Sequence, residues 1–205
     1  PARLAEVREE ISAAARRAGR LAESIRLVAV TKTHPAAVLQ AAVAAGVTEI
    51  GENYLQEASD KFAALGWPAA STGAAPVIRH AIGHIQSNKV RLALQWFDLI
   101  QTVDSLALAQ RIDRLAGDLG RVMPVLLQVN IGNDPAKYGF FPEQVEGVFA
   151  SLANLAHIRV NGLMTIGRFE PDPEAARGDF IALRALRDRL RPQLPPSVRL
   201  DELSM

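Results

Sequence analysis

The stretch Arg26-Leu27-Val28-Ala29-Val30-Thr31-Lys32-Thr33 decides how this chain is read. Leu27 to Val30 is a continuous apolar run, which suits a strand buried on both faces, as in a parallel sheet covered by helices. Lys32 stands at its C-terminal end. Pro35 then opens an Ala-rich helical pattern that stops at Gly46, the usual placing of proline at a helix start and glycine just past its end. Parallel α/β folds carry their sites at the C-terminal ends of strands, so Lys32 is where a reactive amine would stand. A lysine in such a pocket is expected to be partly desolvated, which favours the neutral, nucleophilic form that condenses with an aldehyde. The plainer reading is a solvated surface charge. Usage tilts the balance: the chain has 23 Lys+Arg, yet its lysines are only Lys32, Lys61, Lys89 and Lys137. Arginine cannot be deprotonated for imine chemistry, so a lysine retained at a strand end stands out.

Working outward, residues 2 to 18 read as an amphipathic helix with Leu4, Val7, Ile11, Ala14 and Ala15 on one stripe. Past the Pro35 helix comes a strand from Val47 to Glu52. Asn53 then reads as an N-cap with Gln56 three residues on, a capping box, before a helix that buries Leu55, Ala58, Phe62 and Leu65. Residues 66 to 76 are loop by composition. Strands recur at Val77 to Ile85, Leu99 to Val103, Val125 to Asn130 and Val160 to Ile166, and a seventh begins near Val198. Between them lie a short helix from Ser87 to Gln95, one capped by Asp104 or Ser105, and one opened by Pro142 after a polar loop from Ile131 to Phe141. A long helix follows from Asp172 and Pro173, burying Phe180, Leu183, Leu186 and Leu190. Its other side, with Arg177, Arg184, Arg187 and Arg191, reads as a solvated face.

Strand then helix throughout, with no break in composition, predicts a parallel sheet with right-handed crossovers. Seven strands after a leading helix predict an α/β fold of the (β/α)8 TIM-barrel type, one domain over residues 1–205. A Rossmann fold is disfavoured, because no Gly-x-Gly-x-x-Gly follows the first strand. The eighth strand and its loops are missing from the sequence, which ends in mid-motif at Leu203-Ser204-Met205. These residues are expected to be an incomplete version of a longer protein.

Composition narrows the function. Hydrophobic content of 49% with 22% charged residues places the chain among globular proteins. A formal net charge of +1 gives no electrostatic case for nucleic acid or an anionic membrane. There are no cysteines, which excludes disulfides, thiolate nucleophiles and cysteine metal sites and makes the cytoplasm the expected compartment. No apolar run has membrane length and no signal-peptide pattern opens the chain. His34, His80, His84 and His157 form no metal-ligand spacing with nearby carboxylates.

Several blocks carry a resemblance: Val-Ala-Val-Thr-Lys-Thr (28–33), Gly-Glu-Asn-Tyr-Leu-Gln-Glu (51–57), Ile-Gly-His-Ile-Gln-Ser-Asn-Lys-Val-Arg (82–91) and Thr-Val-Asp-Ser (102–105). Gln-Val-Asn-Ile (128–131) with Lys137 and Gly139, Gly-Leu-Met-Thr-Ile (162–166) and the final Leu-Ser-Met complete the set. In this order they resemble the pyridoxal-phosphate homeostasis protein family, itself similar to the barrel domain of bacterial alanine racemases. The resemblance implies a protein that binds pyridoxal 5'-phosphate (PLP) as a Schiff base and acts as a carrier or regulator of the vitamer pool. Its implied partners are PLP and PLP-dependent apoenzymes, and its implied state is a monomer.

By motif, Lys32 matches the Schiff-base lysine. Asn53, His80, Met164 and Ser204 match positions that line the cofactor pocket, Ser204 near the phosphate. Each has a plainer alternative: Asn53 as an N-cap, His80 as a buried hydrogen-bonded histidine, Met164 as core filler. His80 departs from the family pattern in its neighbours, Arg79 and Ala81 standing where Trp and Phe are usual. The family's Gly-Met-Ser turn and Arg-Ile-Gly segment, which supply the phosphate cup and the partner of the pyridine nitrogen, are absent from these residues. Three other readings compete. A PLP-dependent amino-acid racemase needs an acid/base group on each face of the substrate carbanion, and only Tyr54 and Tyr138 are tyrosines. A lysine-imine aldolase needs a proton relay beside Lys32, for which Glu52 is the candidate. A non-enzymatic interaction protein would show a large exposed apolar patch.

Overall fold

The computed structural model describes residues 2–69, 77–167, 173–195 and 197–205. Seven parallel strands form one sheet in sequence order: β1 (Ala29–Val30), β2 (Glu49–Glu52), β3 (Ile78–Ala81), β4 (Leu99–Val103), β5 (Met123–Gln128), β6 (Ile158–Met164) and β7 (Glu202–Ser204). The helices are α1 (Ala2–Arg17), α2 (Ala36–Ala44), α3 (Leu55–Ala64), α4 (Val90–Trp96), α5 (Leu106–Asp118), α6 (Val145–Leu152) and α7 (Arg177–Leu190). The strand-helix alternation read from the sequence is therefore the architecture. It is a partial barrel of alternating strands and helices in which, among the described residues, β1 pairs only with β2 and β7 only with β6.

The sheet is curled, and side chains prove it. In a flat sheet β4 and β7, three strands apart, would lie about 14 Å from each other. Ser204 on β7 nevertheless donates to Gln101 on β4 at 2.7 Å. Across the unpaired edges, Arg26 just before β1 forms an ion pair with Glu202 at the start of β7, 176 residues away.

Alternation along the strands sorts the residues into two faces. The helix-facing side carries the main core: Ile50, Ala81, Ile100, Val125, Leu127 and Leu163 are buried with Leu39, Phe62, Leu94, Ile112, Phe149 and Leu183 from the helices. The inner side carries a smaller apolar cluster of Leu99, Leu126 and Met164, and a polar group of Glu49, His80, Gln101 and Ser204, of which the last three are linked by hydrogen bonds. Arg79 belongs to the helix side. It is fully buried, binds Asp98 through its backbone N–H at 2.8 Å and Nε at 3.0 Å, and lies over the Phe62 ring. The unusual neighbours of His80 thus alter the packing against the helices and leave the inner face alone.

Several boundaries differ from expectation. The apolar run from Leu27 contributes only a two-residue strand, and Val30 is 47% exposed rather than buried on both faces, because β1 is an edge strand. The stripe on α1 buries only Ala15, with Val7 exposed. The capping box at Asn53 does not form. The N-cap of α3 is Tyr54 with no side-chain bond, and Gln56 bonds Ser59 and Asp60 instead. Ser105 does cap α5, accepting from the Leu108 N–H. The third strand is shorter than its apolar run, and the helix from Ser87 begins as a 3-10 turn before α4. The long C-terminal helix begins with a 3-10 turn at Pro173 and becomes α7 at Arg177, while Asp172 and residues 70–76 lie outside the described residues.

Candidate functional site at the strand ends

Lys32 follows β1 at the C-terminal rim of the sheet. A side chain added at Gly51 would meet Val28, so Val28 faces inward; Thr31 faces the helices, where it bonds Glu52. Continuing the alternation turns Lys32 inward. Its side chain is exposed, and its amine makes no hydrogen bond or ion pair among the described residues. The expected partial desolvation is not seen: Lys32 is exposed, and among the described residues no strand covers the β1 edge.

The backbone around Lys32 is held firmly. Thr31 Oγ1 donates to Glu52 Oε1 at 2.6 Å, and the Thr33 N–H donates to Glu57 Oε1 at 2.7 Å. Lys61 Nζ reaches the Thr31 carbonyl at 2.8 Å, Glu52 at 2.6 Å and Glu57 at 2.9 Å. Lys61 is 7% exposed and Glu52 fully buried. The Lys61 ammonium holds the Glu57 carboxyl below the usual range, helped by the Thr33 N–H and the nearby His34 charge against a smaller opposing effect of burial. Thr33 itself has φ +64°, a left-handed conformation that costs a β-branched residue about 1–3 kcal/mol. Glu52 Oε1 is thus committed to Lys61 and Thr31, while Oε2 is buried with no hydrogen-bond partner among the described residues; the strand alternation puts Glu52 on the helix side, away from the side chain of Lys32.

Asn53 follows β2 beside this segment. Its Oδ1 is buried with no hydrogen-bond partner among the described residues, a polar atom left for something else to satisfy. Gly83 holds it in place: a Cβ there would stand 2.2 Å from the Asn53 carbonyl oxygen.

His80, Gln101 and Ser204 form a chain through the inside of the sheet. The Gln101 amide Nε2 lies 2.8 Å from His80 Nδ1, and Gln101 Oε1 accepts from Ser204 Oγ. With the amide turned this way Nδ1 accepts, which leaves Nε2 as the ring nitrogen that carries a proton. Nε2 faces Glu49 Oε2 at 2.9 Å, off the angle of a good hydrogen bond. Burial pushes the Glu49 carboxyl up, but His80 and the Arg26 guanidinium more than offset this and hold it below the usual glutamate range. His80, 1% exposed, is thus the buried, bonded histidine of the plainer reading, joined to Ser204 through Gln101. Met164 is 6% exposed and packs with Leu99 and Leu126.

At the same rim His84 Nδ1 lies 2.9 Å from Asp104, and the Tyr138 ring stacks on the imidazole at 3.7 Å between centroids. Lys137 reaches the Gly167 carbonyl at 3.3 Å. A cavity of about 640 Å³ opens at the opposite rim, among Arg26, Thr48, Ile78, Asp98 and Glu202, away from Lys32. No cluster of metal-ligating side chains occurs among the described residues. Sequence reasoning missed Glu57, Lys61, Gln101 and Glu49. The i, i+4 spacing of Glu57 and Lys61, in a chain so sparing of lysine, was the available signal.

The alanine racemase N-terminal domain family matches residues 3–200. The pyridoxal phosphate homeostasis protein of Escherichia coli K12 is 38% identical over 191 residues, covering 91% of this chain and 80% of that protein. This chain belongs to the pyridoxal phosphate homeostasis protein family. A second member, from Aquifex aeolicus, is 35% identical over 208 residues, covering 99% of this chain and 85% of that protein. Among solved structures, PipY of Synechococcus elongatus with PLP bound superposes with a TM-score of 0.79 at 38% identity, covering 97% of this chain and 88% of PipY. The alanine racemase of Clostridium difficile 630 shares the fold, with a TM-score of 0.67 at 16% identity over 87% of this chain and 45% of the racemase. The chemistry of the strand-end residues fits an aldehyde-bearing phosphate ester: the Lys32 amine has no partner among the described residues, and the buried Asn53 Oδ1 is an acceptor left unsatisfied. None of the described helices is long and apolar enough to cross a membrane.

Proposed function

We propose that this protein binds PLP as an imine on Lys32 and serves PLP homeostasis, with little or no catalysis of its own. One observation carries the reading: an unpartnered amine on a clamped backbone at the strand ends, beside the buried and unsatisfied Oδ1 of Asn53. PLP brings an aldehyde that condenses with an amine and a phosphate dianion that calls for hydrogen-bond donors. Lys32 supplies the amine and Asn53 an orienting acceptor; the Ser204 hydroxyl, whose one proton goes to Gln101 Oε1 in this structure, becomes a donor to the phosphate by turning away from Gln101. His80 orders Ser204 through Gln101, and Met164 walls the inner face. The names of the relatives, and PLP in PipY, support the same assignment. PLP-dependent apoenzymes are the proposed recipients, a cytoplasmic monomer the proposed form.

The racemase reading has less support. The two tyrosines are 56% and 57% exposed, and Tyr138 is committed to stacking on His84, so neither stands as a buried proton donor facing Lys32. The test of the main reading is borohydride reduction of the PLP-loaded full-length protein followed by peptide mapping. The pyridoxyl group is expected on Lys32 and is lost in Lys32→Arg, because a guanidinium does not condense. A label on Lys61, Lys89 or Lys137 in place of Lys32 would overturn the assignment.

A further inference from the structure

We propose that Glu57 and Lys61 are positioning residues for Lys32, gripping the backbone on both sides of it from the helix face while touching neither its side chain nor the cofactor. The inference rests on Lys32 being the residue that takes the aldehyde.

The geometry is specific. The Lys61 ammonium donates to the Thr31 carbonyl and to Glu57 Oε1, and forms an ion pair with Glu52 Oε1. Each carboxylate oxygen then takes a second donor from the segment that carries Lys32: Glu52 from Thr31 Oγ1, Glu57 from the Thr33 N–H. The residues before and after Lys32 are therefore tied to the same buried cation. Thr33 is held at φ +64°, which a β-branched residue keeps only where its surroundings over-determine it. Here the surroundings are the Glu57 bond on its N–H. A loose edge strand of two residues could not by itself aim an exposed lysine, and misplacing a reacting group by about 1 Å is enough to cost up to a hundredfold in reactivity. The clamp does what burial of Lys32 does not.

The test compares Glu57→Ala, Glu57→Gln and Glu57→Asp in the full-length protein. Glu57 is the partly exposed member of the trio, so its truncation leaves the buried Lys61–Glu52 pair intact. PLP affinity is read from the absorbance of the imine, and Lys32 reactivity in the PLP-free protein from competitive labelling with trace acetic anhydride, with Lys89 as internal reference. Glu57→Ala is expected to weaken PLP binding about tenfold, the effect of one charge-assisted bond, and to change Lys32 labelling relative to Lys89. Glu57→Gln keeps an acceptor for the Thr33 N–H and should stay within about threefold of the parent. Should Glu57→Ala not fold, Glu57→Asp keeps the charge near Lys61 but withdraws it from Thr33, and should show the same relative shift. Unchanged affinity and unchanged Lys32 labelling in a folded Glu57→Ala or Glu57→Asp protein would overturn the clamp. Absence of any imine on Lys32 in the parent protein would instead overturn the proposed function, and the clamp would then stand or fall on the labelling alone.

Discussion

Ser204 Oγ donates to Gln101 Oε1 at 2.7 Å although 103 residues separate them, and Gln101 passes the contact on to His80. Gln101 is the one side chain that both His80 and Ser204 depend on, and it is 4% exposed. Gln101→Leu should leave the buried His80 Nδ1 and the half-buried Ser204 hydroxyl without their partner. A destabilisation of about 1–3 kcal/mol is expected, read as a lower urea midpoint with an unchanged slope. An unchanged midpoint would mean that water replaces the amide at no cost.

Acid should weaken the fold through Glu49. Its carboxyl titrates below the usual value of 4.5, so above that value its contribution to stability is fully present. As the pH falls, the unfolded chain takes up the proton first, and the contribution is lost through the folded-state value. Urea midpoints measured across the acid range should fall less steeply for Glu49→Gln than for the parent. Parallel curves would show that His80 and Arg26 do not favour the charged form.

Gly83→Ala should separate binding from folding. The new methyl would stand 2.2 Å from the Asn53 carbonyl oxygen, so the Asn53 segment must move. Overpacking of this kind costs about 1–3 kcal/mol. A calorimetric titration should also show weaker PLP binding at temperatures where the variant is fully folded. Full-strength binding would remove Asn53 from the cofactor site.

Cofactor-loaded protein should not racemise alanine at a useful rate. A coupled D-alanine assay is the measurement, and turnover near the enzyme median of roughly 10 per second would show that a second acid/base group opposite Lys32 had been overlooked.

The alternation of strands and helices is legible in the amino-acid sequence alone, because apolar runs and 3.6-residue stripes are local properties of the chain. The sequence also places Lys32 just past the first strand, since Pro35 stops continuation and caps α2. Local reading went wrong where a local motif competed with a distant partner. Asn53 and Gln56 have the spacing of a capping box, but the turn placed at Tyr54 leaves Asn53 Oδ1 unbonded. The apolar run from Leu27 reads as doubly buried, but burial depends on the neighbouring strand, and β1 has one neighbour. Which polar residues meet depends on the folded arrangement. Gln101 with His80 and Ser204, and Lys61 with Thr31, Glu52 and Glu57, are pairings set by strand register, by the curl of the sheet and by the seating of α3. Those are properties of several segments at once, and no window of the chain short enough to show periodicity contains both partners of Ser204 and Gln101.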